Sequence, residues 1–494
     1  MKNKFIEFDN TYASLPKHFY VYKEPTPVAK PRLVCINEPL SRELGIDPNY
    51  LKSQEGIKIL SGNNLAKGSQ PISMIYAGHQ FGHWVPQLGD GRAVLLGEVI
   101  DLNNKRYDIQ LKGSGPTPFS REGDGRAWIG PVLREYIISE YMHAVGVPTT
   151  RALGAVLTGE DVIREKSFPG AVLTRVAESH VRVGTFQYFA SKNDFEAIKV
   201  LADYIINRNF NYFLTDNNPY VSLLECLVKK QADLIAKWMS LGFIHGVMNT
   251  DNMSVVGDTI DYGPCAFMDS YREDMVFSSI DQLGRYSYKN QPYIANWNLM
   301  CFANTILPLI DSDETNALKI AQEKIDSFKD KFEQSWCNEF RGKIGLKKTK
   351  ANDAILIREL LNLMEDSKSD FTKTFRSLSS LKLEIGNSFL NEFYSHFINR
   401  KVVESWLEKW KIRIFSESGD IKTAQALMKK NNPVYIPRNH IIEKVIFNSL
   451  HNDFKPFFRL MDVIMNPYKE KINKDYYSSS PRPEEVVRET YCGT

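Results

Sequence analysis

The stretch from Ser222 to Gly263 constrains this 494-residue chain more than any other. Leu224, Leu227, Val228, Leu234, Ile235, Trp238 and Met239 recur at helical spacing, and Gly242 ends the run. Ser222, with Glu225 three residues on, has the spacing of a capping box, so the expected helix is Ser222–Leu241. A polar loop follows: His245-Gly246-Val247-Met248-Asn249-Thr250-Asp251-Asn252, then Asp261-Tyr262-Gly263. Between them, Ser254–Val256 and Thr259–Asp261 are expected to be short strands around the turn pair Gly257-Asp258. A buried helix that delivers Asp and Asn side chains to one loop presents hard oxygen donors, the kind Mg²⁺ prefers.

Upstream, glycine and polar turn signals are densest between Gly78 and Gly130. Strands are expected at Ala93–Ile100 and Tyr107–Lys112, with Asn103-Asn104 as the hairpin tip. A helix over Pro131–Ala144 follows, with Pro131 in its first turn and Gly146 closing it. Beyond Leu346 the pattern is mostly helical, and the basic stretch Gly342–Lys350 marks a boundary. A chain this long exceeds one compact core. The expected layout is a β-rich N-terminal half, a helical half and a helical extension.

The chemistry-bearing residues fall in a recognisable order. Protein kinases carry H-R-D-x-x-x-x-N and then D-F-G. Counted from His245, Asn252 takes the place of the metal-binding asparagine, and Asp261 heads the second motif. Val247 stands where the base aspartate belongs and cannot accept a proton; Asp251 is the replacement base. On the strand Asp108-Ile109-Gln110-Leu111-Lys112, Ile109 and Leu111 share the core face, and Lys112 shares the other with Asp108 and Gln110. Alone, Lys112 reads as a surface lysine. With Glu135 on the next helix it forms the phosphate-positioning pair of kinases. Gly89-Asp90-Gly91-Arg92 and Asp124-Gly125-Arg126 are tight turns whose small residues let backbone N–H groups approach phosphate. Arg175 and Arg182 suit phosphate oxygens, although their spacing alone fits surface arginines better.

Other classes are disfavoured. A net charge of +3, from 62 basic and 59 acidic residues, supplies no long-range field for nucleic acid or membrane. No apolar run approaches a membrane span, and Met1–Tyr12 has no signal-peptide character. Six scattered cysteines without a CxxC pair fit a reducing cytoplasm. His79 and His83 have zincin spacing, but Gly78 and Gly82 disfavour a helix there.

Taken together, these residues resemble the selenoprotein O (SelO) family of pseudokinase-like protein adenylyltransferases. The carrying stretches are Tyr76–His83, Gln87–Arg92, Asp108–Pro118, Ser120–Ala127, Leu133–Tyr136, His245-Gly246, Asn249–Asn252 and Asp261–Pro264. Arg438–His440 and Ser480–Pro483 extend the likeness towards the C-terminus. The resemblance implies a protein-kinase-like bilobal α+β fold: an N-lobe over residues 1–172, a helical C-lobe over 173–345 and a helical extension over 346–494. It implies an inverted ATP, with the triphosphate end buried and the α-phosphate presented to a protein hydroxyl. Lys112, Arg175 and Arg182 would hold phosphates, and Glu135 would orient Lys112. Gly89, Gly91, Arg92, Asp124 and Gly125 would complete the nucleotide site. Asn252 and Asp261 would bind Mg²⁺ or Mn²⁺, and Asp251 would act as base. Acceptors would be Ser, Thr or Tyr hydroxyls of proteins. UTP in place of ATP, phosphoryl transfer, and a non-catalytic nucleotide-binding scaffold stay open as alternatives. Cys492 resembles the C-terminal cysteine or selenocysteine of the family. In some bacterial members that cysteine bonds to one in the loop after the D-Y-G motif, where this chain has Phe277, Ser278 and Ser279.

Overall fold

The computed structural model describes residues 5–381, 388–418 and 420–490, so Cys492 lies outside the described residues. The chain is a mixed α/β protein built on one large antiparallel sheet with many helices. Its strands are β1 (Tyr20–Tyr22), β2 (Arg32–Ile36), β3 (Ile72–Gln80), β4 (His83–Gly89), β5 (Ala93–Ile100), β6 (Arg106–Lys112), β7 (Ala127–Trp128), β8 (Arg151–Ile163) and β9 (Ser167–Ala177). They run in the order β1-β3-β5-β6-β9-β8-β2, with β4 paired to β3 and β7 to β9. The division expected at residues 172/173 falls inside β9.

Period-two patterning decides which face of the sheet meets what. Ile109 and Leu111 of β6 are buried with Val94, Leu96 and Val176. They pack against Leu40, Leu51 and Ile59 of three short helices, α1 (Glu38–Glu43), α2 (Pro48–Lys52) and α3 (Gln54–Leu60). Full burial of each such side chain is worth about 1.5–3 kcal/mol, so a one-residue slip of β6 is strongly disfavoured. The opposite face carries Gln110 and Lys112 towards α4 (Ile129–Ala144). In register, Gln110 faces Arg175 of β9, and Lys112 faces Ala93 of β5. The hairpin turn expected at Asn103-Asn104 is present: Asp101 accepts the N–H groups of Asn103 and Lys105, and Asn104 adopts φ +61°. Helix α4 is buried nearly all round, because the sheet covers one side and the helix Asn439–Leu450 the other.

The helical half contains α5 (Val183–Ala190), α6 (Phe195–Asn209), α7 (Pro219–Ser240), α8 (Gln291–Ile310) and α9 (Glu314–Lys343). Helix α7 starts earlier than the capping-box spacing suggests. Asn218 is the N-cap, accepting from the N–H groups of Tyr220 and Val221, and Pro219 occupies the first turn. Ser222 therefore lies inside the helix and donates to Asp216, while Glu225 pairs with Lys324. The two strands expected between Ser254 and Asp261 do not form. Their backbone groups serve single contacts instead: Val255 N–H to Val181 O, Thr259 N–H to Pro148 O. Asp261 then takes φ +64°, which no strand tolerates. A short ladder does exist nearby, between Phe243-Ile244 and Ala266-Phe267. At the Gly342–Lys350 boundary α9 ends and Gly345 turns the chain at φ +80°. Phe340, Ile344, Leu346, Ile357 and Phe371 nonetheless share one core across it. No helix of the described residues is long and apolar enough to cross a membrane.

Candidate active site

Asp261 is the hub of the site. Its Oδ1 accepts from Lys112 Nζ at 2.8 Å and Arg175 Nη2 at 2.6 Å, and its Oδ2 accepts from Arg182 Nη1 at 2.9 Å. Glu135 of α4 anchors the same cations, accepting from Lys112 at 2.6 Å and from Arg175 Nε and Nη2 at 2.8 and 2.6 Å. Arg182 stacks on Tyr76, 4.7 Å from the ring centre, and its Nη2 lies 3.6 Å from Asp90. Three cations thus meet three carboxylates (Asp261, Glu135 and Asp90), so the formal charges of the cluster balance. Burial pushes the carboxyl groups of Asp261 and Glu135 up, but Arg175 and Lys112 outweigh it and hold both below the ordinary carboxylate range.

Eleven of the twelve candidate residues line one cleft of about 510 Å³. Lys112, Arg175, Arg182 and Asp261 form its floor, and Asp251 and Asn252 enter from the loop after α7. Gly89 ends β4, Gly91 and Arg92 come from the turn between β4 and β5, and Asp124 and Gly125 from the loop before β7. These two turns need their small residues for close packing. A Cβ at Gly89 would sit 2.4 Å from the Phe119 ring, and one at Gly125 would sit 2.1 Å from Gly115 O. Asp124 is held by a two-nitrogen contact from Arg164, at 2.8 and 3.0 Å. Glu135, the twelfth, lines an adjoining cavity of about 300 Å³ that shares Lys112 and Arg92 with the cleft.

Asp251 is poised differently from Asp261. Its Oδ2 accepts from Gln80 Nε2 at 3.1 Å, while its Oδ1 is buried without a hydrogen-bond partner. Burial pushes its carboxyl up to about 6, with Gln80 and Arg182 opposing only in part. The loop is pinned from both sides. Asn249 Oδ1 accepts from Phe81 N–H at 3.0 Å and from the Tyr286 hydroxyl at 2.7 Å, and Thr250 Oγ1 accepts from His79 N–H at 2.8 Å. His245 is buried and stacked on Trp238, with its Nε2 2.9 Å from Ile260 O; burial lowers its pKa, so it serves as a neutral brace. The histidine spacing at 79 and 83 belongs to the β3–β4 hairpin rather than a helix, and Gln187 holds His79 Nδ1 at 3.0 Å.

Several contributors escaped the motif reading. Gly78 is one: a Cβ there would lie 2.5 Å from Asp251 Oδ1. Gln80, Asp90 and Asn249 are others, and all four sit within the stretches that carry the family resemblance. Gly78→Ala is therefore expected to lower turnover at least about tenfold by displacing the Asp251 carboxylate, with ATP affinity nearly unchanged. Steady-state kinetics beside calorimetric ATP titration checks this, and a proportional loss of both would contradict it.

The donor set fits a divalent metal of modest protein ligation. Asn252 and Asp261 supply hard oxygens to one cleft, which Asp251 also lines. Among the described residues no group of three or more His, Cys, Asp or Glu could hold a metal ion. A metal here must take its remaining ligands from water and nucleotide phosphates, which is the habit of Mg²⁺. Towards the C-terminus, Thr490 bridges to Ser278, donating its N–H to Phe277 O at 2.7 Å and accepting from Ser279 N–H at 3.2 Å. The tail is thus tied by backbone to the positions where the resemblance would place a cysteine.

Comparison with known proteins shows the family. A family model described as "Protein adenylyltransferase SelO" matches residues 3–465. A protein nucleotidyltransferase YdiU of Rhodopseudomonas palustris (strain BisB18) is 51% identical over 488 residues, covering 99% of each chain. That of Bradyrhizobium sp. (strain ORS 278) is likewise 51% identical with 99% of each chain covered, and that of Nitrobacter hamburgensis is 50% identical over 490 residues. With a family model spanning most of its length and relatives at half identity from end to end, the chain belongs to the SelO family of protein adenylyltransferases.

Proposed function

We propose that this enzyme transfers AMP from ATP to Ser, Thr or Tyr hydroxyls of proteins and releases pyrophosphate. The observation that carries the reading is the pairing of a three-cation floor with a separate, buried carboxylate at Asp251, one oxygen of which has no hydrogen-bond partner. ATP brings about four negative charges; Lys112, Arg175 and Arg182 supply more positive charge than a γ-phosphate at a site mouth requires, and so suit a closed seat for the β- and γ-phosphates. The α-phosphorus then lies at the exit. We read the sheet with α4 as the N-lobe and α5–α9 as the C-lobe of a kinase-like fold, with the remaining helices as an extension.

In this reading the three cations exchange partners on binding. Without nucleotide they are neutralised by Asp261, Glu135 and Asp90. When ATP arrives, its phosphate oxygens take over the cations, and Asp261 with Asn252 would hold Mg²⁺ or Mn²⁺. A metal bound there would supply neutralisation of developing charge on the phosphates. Asp251 accepts the proton of the acceptor hydroxyl, the acceptor oxygen bonds to the α-phosphorus, and the bond from that phosphorus to the β-bridging oxygen breaks. The leaving pyrophosphate stays paired to Lys112, Arg175 and Arg182, whose preorganised charge is the main catalytic contribution. UTP could fill the same phosphate seat, so UMP transfer is the alternative within this mechanism.

Mass spectrometry of proteins incubated with enzyme and ATP tests the reading: an added AMP on hydroxyl side chains is expected, and an added phosphate alone would overturn it. The pH dependence gives a second check. A base must be ionised, so kcat/KM should fall as pH drops through about 6, the value for Asp251 in the free enzyme. Activity constant down to pH 5 would remove Asp251 from the role.

A further inference from the structure

Beside the cleft mouth the structure carries an exposed ledge that the nucleotide does not require. It starts inside the cleft, where Phe81 and Ile280 share the lining with Asp251. Any polypeptide that delivers a hydroxyl to Asp251 brings its flanking residues against these two side chains. Phe81 adopts φ +51°, held by Asn249 and by ring contact with Tyr286 at 5.1 Å, so this edge is built rather than loose. Outward from it, the Arg285 guanidinium lies over Trp297, 5.0 Å from the ring centre. It packs beneath the hairpin tip, where a Cβ at Gly82 would meet it at 3.5 Å. His79 links Trp297 to Trp84, at 5.1 and 4.9 Å. Ile280 is 61% exposed and Leu283 is 96% exposed, so apolar surface continues into solvent.

Charge identifies the occupant. Lys112, Arg175 and Arg182 all have carboxylate partners, but Arg285 makes no ion pair among the described residues. Its Nε is shut off from solvent with no hydrogen-bond partner. Asp281, in the same turn, spends its carboxylate on the backbone N–H groups of Arg285 and Tyr286, at 2.9 and 2.8 Å. A partly desolvated cation in no ion pair, flanked by exposed apolar and aromatic side chains, complements a segment that is both acidic and apolar.

We propose that this ledge seats the acceptor segment of the protein substrate, and that the segment carries a carboxylate for Arg285 and an apolar side chain for Ile280 and Leu283 close to the modified hydroxyl. The proposal rests on the adenylyltransfer reading above. It is tested with the full-length enzyme, α-³²P ATP and Mg²⁺ on arrayed peptides, each with one Ser, Thr or Tyr flanked by acidic, neutral or basic residues. The parent should favour acidic over basic flanks by about tenfold in kcat/KM. Arg285→Gln should flatten that preference, Arg285→Glu should invert it, and Leu283→Ser should raise KM for peptides with an apolar flank. ATP titration and thermal melting of each variant, both matching the parent, separate lost recognition from lost folding. A parent that transfers AMP without regard to flanking charge overturns the ledge alone, as does an Arg285→Glu variant with the parent's preference. A parent that puts AMP into no protein, itself included, removes the adenylyltransfer reading and this proposal with it.

Discussion

Asp261→Ala is expected to abolish transfer and to erase the dependence of nucleotide binding on metal. In the proposed mechanism the carboxylate that neutralises Lys112, Arg175 and Arg182 would also supply the anionic oxygen a metal needs. Without it, the cluster keeps three cations against two carboxylates, Glu135 and Asp90. An uncompensated charge of this kind costs about 3 kcal/mol of stability, taken at the low end because the Asp261 side chain is 21% exposed. The freed cations still attract triphosphate, so ATP should bind equally with and without Mg²⁺. Calorimetry with Mg²⁺ and with chelator reads this directly. A variant in which Mg²⁺ still strengthens ATP binding as in the parent would defeat the assignment of Asp261 to metal.

Asp251→Ala separates binding from chemistry. A general base contributes mainly in the transition state, so turnover should fall by about 10²–10⁴-fold while ATP affinity stays within about twofold. Asp251 forms no hydrogen bond or ion pair with Lys112 or Arg175, and its hydrogen bond to Arg182 runs through its backbone oxygen, at 2.8 Å, which alanine retains; only the charge attraction between its carboxylate and Arg182 is lost. The low-pH limb in kcat/KM should vanish together with the activity. If affinity fell as steeply as turnover, Asp251 would be a ligand or a brace for Arg182 rather than a base.

The site was more legible in the sequence than the fold that carries it. Lys112 could be assigned to one face of β6 from alternation alone, and its pairing with Glu135 followed from a strand-then-helix spacing. The loop His245–Asn252 was legible because its donors sit at fixed offsets after an amphipathic helix. What failed was local chemistry with two readings. Ser222 and Glu225 imitate a capping box, yet Asn218-Pro219 starts the helix a turn earlier. The alternation in Ser254–Asp261 imitates a hairpin, yet its backbone groups are spent on Val181 and Pro148. Gly78 was invisible for another reason. Its role is to leave room for a side chain 173 residues away, and only the tertiary fold creates that contact. The sheet order was equally out of reach, because β2 pairs with β8 across more than a hundred residues.

Which phosphate moves is the point on which the account stands or falls. Purified enzyme and candidate proteins are incubated in parallel with α-³²P ATP and with γ-³²P ATP, each with Mg²⁺ and with Mn²⁺, beside an Asp251→Ala control. Label from α-³²P ATP alone should enter protein and be lost in the control. Label entering from γ-³²P ATP, and absent from the control, would mean a kinase and would contradict the inverted nucleotide.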